Sequence, residues 1–141
     1  MKEEFISLKT AKLVKEKRFN IYVNSYYIEY IKTQKSDNPS FKMKKGEVEI
    51  DSNYFANGDN TTGDFSCDNY ICYARPTQAL LQRWLREVHN INVISYPSAV
   101  FNKKYIYLLL SDLELIEEGD IKYDSYEQAL EAGLYKALLL I

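Results

Sequence analysis

The chain is poor in the residues that build metal centres, disulfide frameworks and catalytic clusters. Its 141 residues include two cysteines, one histidine, three prolines and five glycines. Two cysteines and one histidine cannot supply the four protein ligands of a structural zinc site, so Cys67 and Cys72 are expected to be free thiols. A glycine-rich phosphate loop and a nucleophile motif are also missing. The sequence therefore predicts no catalytic residue, no cofactor and no bound metal.

Long apolar runs are absent as well. No stretch approaches the roughly 20 apolar residues that a membrane-spanning helix needs. The N-terminal sequence MKEEFISLKT carries two acidic residues where a signal peptide has its apolar segment. We therefore expect a cytoplasmic protein with no membrane partner. The length and the 46% hydrophobic content fit one folded domain over residues 1–141.

Charge is unevenly distributed, although the net charge is only −2. Residues 1–45 carry eleven Lys or Arg against five Asp or Glu, whereas residues 46–141 carry seven against fifteen. The asymmetry favours a basic face for an acidic partner or self-association of unlike surfaces, but simple solvation of helices and loops explains it too. In the first interpretation, Lys9, Lys12 and Lys15 would bind nucleic acid while tyrosines stack on single strands.

The strongest core signal is RPTQALLQRWLREVHN, residues 75–90. Pro76 suits the first turn of a helix and Asn90 suits a left-handed stop, which predicts a helix over about 76–89. Helical spacing places five apolar side chains on one side: Leu80, Leu81, Trp84, Leu85 and Val88. It places the polar residues on the other side: Gln78, Ala79, Gln82, Arg83, Arg86 and Glu87.

The polar face of this helix is the first place to expect a partner. Gln82, Arg83 and Arg86, with Arg75 nearby, could bind a phosphate or a carboxylate. Alternatively they only keep an amphipathic helix solvated, and Glu87 on the same face weakens any basic stripe. His89 lies at the helix C-terminus, where the dipole favours its protonated form, but it has no second histidine with which to form a catalytic pair.

A second amphipathic helix is predicted over about 125–141. Asp124 or Ser125 would cap it, and Glu127 or Gln128 would complete a capping box. One stripe of this helix is apolar and a neighbouring stripe is small: Leu130, Leu134, Leu138 and Ile141, then Ala129, Gly133 and Ala137. Such a small-residue stripe indicates tight packing on a sheet. The apolar C-terminal end is expected to be buried in the domain or in a dimer contact.

Strand patterns complete an α+β prediction: a small, mainly antiparallel sheet packed by the 76–89 and 125–141 helices, with a peripheral N-terminal helix over about 7–17. The predicted strands lie within 20–32, at 47–51, at 70–73 and in a 91–96/104–110 hairpin, followed by a small hairpin of 113–116 with 121–123. Both faces of the 104–110 strand are apolar, which favours a central strand covered on two sides or at a subunit contact.

Two acidic stretches invite a calcium interpretation without supporting it. The octet at 57–64 lacks the spacing of an EF-hand and is predicted to be a flexible loop. The acidic residues near the end of the chain are expected to be a solvated hairpin loop rather than a cation site: Asp112, Glu114, Glu117, Glu118 and Asp120.

Three segments carry a family resemblance: ISLKTAKLVKEKRFN (6–20), ARPTQALLQRWLREVHNINV (74–93) and YDSYEQALEAGLYKALLLI (123–141). They resemble an uncharacterised family of small bacteriophage and prophage proteins, whose pattern has glycine where this chain has Arg18. The resemblance implies a mobile-element origin and no particular activity. We therefore expect a non-enzymatic accessory protein that acts through protein–protein contacts, or as a homodimer through its last helix or an apolar strand face. The alternative is nucleic-acid binding by the basic N-terminal third.

Overall fold

The computed structural model describes residues 2–31, 45–51 and 70–141 of the chain. The predicted loop at 57–64 and Cys67 lie outside these ranges. In chain order the described elements are α1 (Leu8–Glu16), β1 (Tyr26–Tyr30), β2 (Val48–Asp51), β3 (Tyr70–Ala74), α2 (Gln78–His89), β4 (Asn92–Pro97), β5 (Tyr105–Ser111), β6 (Glu114–Glu118) and α3 (Tyr126–Leu139).

The described strands form two antiparallel sheets rather than one. The first sheet has the order β2-β1-β3 and the second has the order β4-β5-β6. Helix α2 lies between β3 and β4 in the chain, so the two strands do not join as a hairpin. The α+β class is confirmed, and so is the central position of β5.

One hydrophobic core joins the two sheets and the three helices. Trp84 is 2% exposed and lies edge-on to Phe19, with ring centroids 5.3 Å apart. Its indole N–H donates to the side-chain oxygen of Asn20 at 3.2 Å, so the ring is buried without an unpaired donor. The predicted core role of Trp84 is confirmed.

Local capping sets the helix ends. The side chains of Ser7, Thr77 and Ser125 accept the N–H groups of Thr10, Leu80 and Gln128, respectively. Because Thr77 is the cap, α2 begins at Gln78, two residues later than predicted. Asn90 adopts the predicted left-handed conformation, with φ 56°.

Two side chains of α2 depart from the burial that the helical pattern predicted. Val88 was predicted to face the core but is 58% exposed, because it lies in the last turn, beyond the packed centre of the helix. Gln78 was predicted to be exposed but is 6% exposed, because its amide donates to the backbone oxygen of Glu127 and to the carboxylate of Glu131 on α3.

The prediction of a separate hairpin after β5 was wrong. Asp112 and Leu113, with φ 50° and 67°, form a two-residue turn that returns β6 onto β5. Tyr123 instead forms an isolated bridge with Tyr105.

Helix α1 is also less peripheral than its narrow apolar stripe predicts. It packs on β3 and α3, and Ala11 and Val14 are fully buried. The C-terminal end of α3 was predicted to be buried, but Leu139 and Leu140 are about half exposed.

Helix α3 packs against the second sheet through its small residues, as predicted. Ala129, Gly133 and Ala137 are buried along one side of the helix. A Cβ atom at position 133 would lie 2.8 Å from Val93 Cγ1 and 3.0 Å from Tyr107 Cβ. Only glycine therefore lets the helix backbone approach the sheet this closely.

Candidate functional site

The three residues predicted to contact a partner do not form one binding group. The amide of Gln82 donates to the backbone oxygen of Val93 at 2.5 Å, which ties α2 to β4. Arg83 forms an ion pair with Glu87 one turn along the helix, with 2.9 Å between the nitrogen and the oxygen. Arg86 is exposed. The structure thus assigns Gln82 a structural contact and leaves the two arginines on the surface.

The three lysines of α1 contact three different parts of the fold. Lys9 lies 4.1 Å above the ring of Tyr135, and Lys15 donates to the backbone oxygen of Cys72 at 3.3 Å. Lys12 pairs with Glu29 at 2.8 Å, and the hydrogen bond to that carboxylate raises the pKa of Lys12. Each ammonium group therefore already has an internal contact, which uses part of its capacity to bind a phosphate.

His89 packs against the core tryptophan at the end of α2. Its ring lies edge-on to Trp84 with centroids 4.6 Å apart, and its Nε2 is buried without a hydrogen-bond partner among the described residues. Burial lowers the pKa of His89, opposite to the effect expected from the helix dipole. The predicted preference for the protonated form was wrong because desolvation dominates.

The acidic residues around β6 are not gathered into a cation site. Glu117 accepts the hydroxyl of Tyr107 at 3.3 Å and lies 3.5 Å from Lys136. Burial, with the charge of Glu117, raises the pKa of Tyr107 to about 12. Within the described ranges, no group of three or more His, Cys, Asp or Glu side chains could hold a metal ion.

Three cavities of 360, 460 and 480 Å³ lie along α3, the first two beside the N-terminal residues and the start of α2 and the third beside α1 and β5. Glu131 lines the two larger ones and accepts the N–H of Ser7 at 2.8 Å, the hydroxyl of Thr10 at 2.5 Å and the amide of Gln78 at 3.2 Å. Three donors from two other helices satisfy this carboxylate. Its role is therefore to join helix ends.

The second sheet has one face packed on α3 and an opposite, outer face. The inner face carries Val93, Tyr107 and Leu109, which belong to the main core. Because side chains alternate along a strand, their neighbours lie on the outer face: Ile94, Tyr96, Ile106, Leu108, Leu110 and Leu115. Strand register places them in facing pairs, Ile94 with Leu108, Tyr96 with Ile106 and Leu110 with Leu115. Ile94 is 41% exposed and Leu115 is 56% exposed, whereas Ile106 is only 3% exposed.

Arg75 occupies a setting that the sequence analysis missed. It was grouped with the polar face of α2, but it follows β3 and precedes Pro76. Its guanidinium lies 4.1 Å above the ring of Phe5 and 5.3 Å from that of Tyr27. The sequence feature that could have indicated this setting is the position of Arg75 between a strand and a proline-led helix. A side chain there lies outside the helix and does not share its polar face.

Comparison with protein-family models, with curated proteins and with solved structures finds no match. Among the described helices, none combines the length and the apolar character that crossing a membrane requires.

Proposed function

We propose that this protein is a non-enzymatic accessory protein that acts through protein–protein contact, and that the outer face of the second sheet is its contact surface. The observation that supports the proposal is a ladder of partly or largely exposed apolar side chains opposite α3: Ile94, Tyr96, Leu108, Leu110 and Leu115. A small protein gains little from apolar side chains at this position unless another surface covers them. The proposal retains a cytoplasmic location and a phage or prophage origin, the latter on the sequence resemblance alone.

The partner in this proposal is a second copy of the chain. Two sheet faces can pack about 10 Å apart, and a two-fold axis sets the same ladder against itself. Three strands of about six residues give a footprint of roughly 300 Å² per copy, below the roughly 800 Å² of a standard interface. Val100 and Phe101, 78% and 55% exposed, are further exposed apolar side chains in the connection between β4 and β5. The footprint predicts a weak dimer.

The test is molar mass by sedimentation equilibrium from about 10 µM to about 1 mM, the range expected for a weak interface. The wild-type mass should rise with concentration toward that of a dimer, and Leu115→Arg should abolish the rise. Val88→Arg is the matched control, because Val88 is similarly exposed but lies on α2. Far-UV circular dichroism checks that both variants fold. A wild-type protein that stays monomeric at 1 mM would remove the homodimer.

Nucleic-acid binding through Lys9, Lys12 and Lys15 is the weaker alternative, since each lysine has an internal contact. It predicts that a labelled single-stranded oligonucleotide binds at low salt and is released steeply as salt rises. Fluorescence anisotropy with the wild type and with a variant carrying Gln at all three positions tests it. Equal or absent binding in the two proteins would eliminate this alternative.

A further inference from the structure

The end of β3 holds a half-buried cation without a counter-charge in the described part of the chain. Within those ranges no carboxylate lies within 4 Å of Arg75. One terminal nitrogen donates to the hydroxyl of Ser25 at 3.1 Å, and Nε is buried without a hydrogen-bond partner among the described residues. Arginine has five N–H donors, so most of its hydrogen-bonding capacity is unused here.

Aromatic stacking fixes this guanidinium but does not neutralise it. The rings of Phe5 and Tyr27 hold the planar group, and cation–π contacts of this kind contribute about 0.5–2 kcal/mol. Phe5 is in turn fixed by a bridge to Thr77 and by the hydrogen bonds of its neighbours Glu4 and Ile6 to residues 76–78. The cation is therefore pre-positioned, which lowers the entropy cost of binding an anion.

A cavity of 230 Å³ lies against this side chain. Its remaining walls are mostly apolar, with Tyr22, Val23 and Leu80 among them, and Asn24 adds an amide. The volume is below the 300–1,000 Å³ typical of drug-sized ligand sites, so the cavity suits a molecule about as large as one amino acid. Glu3 also lines the cavity, but it is exposed and forms no ion pair with Arg75.

We propose that this cavity is a binding site for a small organic carboxylate. The carboxylate accepts N–H groups of Arg75 that Ser25 does not use, and the apolar body of the ligand lies against Tyr22, Val23 and Leu80. Arginine matches a carboxylate in shape and charge and can form two parallel hydrogen bonds with it. This site is separate from the outer face of the second sheet, so it stands or falls independently of the proposed dimer.

The test uses benzoate as the probe and benzamide as its uncharged analogue. Two-dimensional NMR follows the Nε–H signal of Arg75 and the backbone amides of Asn24 and Thr77 during titration. Benzoate should shift these signals saturably, and benzamide should bind at least tenfold more weakly because it lacks the charge. Arg75→Gln should likewise lose at least tenfold in affinity, while the exposed Arg83→Gln should leave it unchanged.

Glu3→Gln separates ligand binding from a purely structural role of Arg75. Removing this nearby negative charge should tighten benzoate binding about twofold, and the effect should shrink at high salt. This variant also keeps the proposal testable if Arg75→Gln fails to fold. Unsaturable shifts with benzoate, equal affinity for benzamide, or no change in Glu3→Gln would each overturn the proposal.

Discussion

At the scale of single residues, Arg18 has a backbone conformation that its side chain disfavours. It follows the C-terminal cap of α1 with φ 57°, in the left-handed region where Cβ is crowded. The conformation is imposed by the turn after α1, in which the N–H of Phe19 donates to the oxygen of Val14 at 3.3 Å. This geometry gives a physical reason to expect glycine at position 18.

We therefore predict that Arg18→Gly stabilises the protein by about 0.5–1 kcal/mol, since glycine adopts this conformation without strain. The measurement is the free energy of unfolding in urea. Glu16→Gly is the control, because Glu16 lies in the helix, where glycine costs about 0.5–1 kcal/mol. Equal destabilisation by both substitutions would show that the φ of Arg18 carries no strain.

The buried edge of His89 makes stability depend on pH. Because burial lowers its pKa below the ordinary 6.5, the unfolded chain binds a proton more readily than the folded chain does. The stability that neutral His89 contributes to the folded state is thus complete above about pH 6.5. It is lost as the pH falls through and below that value. Unfolding free energies between pH 7.5 and 5 should decrease in the wild type and change less in His89→Gln. A flat wild-type profile would contradict this.

At the scale of secondary-structure elements, the approach of α3 to the second sheet depends on Gly133. Helix propensity alone predicts that Gly133→Ala stabilises α3 by about 1 kcal/mol. The contacts of the added Cβ with Val93 and Tyr107 predict the opposite, a loss of about 1–3 kcal/mol.

A double-mutant cycle with Val93→Ala measures this clash. Removing the Val93 methyl groups should recover part of the loss, so the Gly133→Ala effect should be smaller in the Val93→Ala background. A Gly133→Ala variant more stable than the wild type would mean that α3 moves away from the sheet at little cost.

Glu131 joins the ends of α1 and α2 to α3, so its removal should affect all three helices. Glu131→Ala leaves the N–H of Ser7, the hydroxyl of Thr10 and the amide of Gln78 without their acceptor. We expect a loss of about 2 kcal/mol in unfolding free energy. Glu127→Ala, an exposed residue one turn earlier, should change it by less than about 0.5 kcal/mol.

The features that the sequence could predict are those that depend on contacts between residues close together in the chain. Ser7, Ser125 and Asn90 act through neighbours within a few residues, so the helix ends they set followed from local pattern. The burial of Gln78 and the exposure of Val88 depend on where α3 lies, which no local pattern contains. The setting of Arg75 needs Phe5 and Tyr27, which are distant in sequence, and for this reason the cavity beside it was missed.

At the scale of the whole molecule, one core connects both sheets with all three helices. This continuity predicts a single cooperative unfolding transition, because neither sheet has a separate core among the described residues. Trp84 fluorescence, which reports the centre of the core, and far-UV circular dichroism, which reports all helices, should give the same midpoint and slope in urea. Two separated transitions would show that the sheets unfold independently.

The hydrogen bonds from Ser7 and Thr10 to Glu131 also affect how the protein folds as it is made. They join residues more than 120 positions apart, so during synthesis α1 lacks its carboxylate partner until residue 131 has emerged. Residues 4–6 likewise form their backbone hydrogen bonds with residues 76–78 only after those later residues have been synthesised. Nascent chains in which residue 131 has not yet emerged from the ribosome should therefore expose α1 to protease. Chains in which residue 131 has emerged should protect α1.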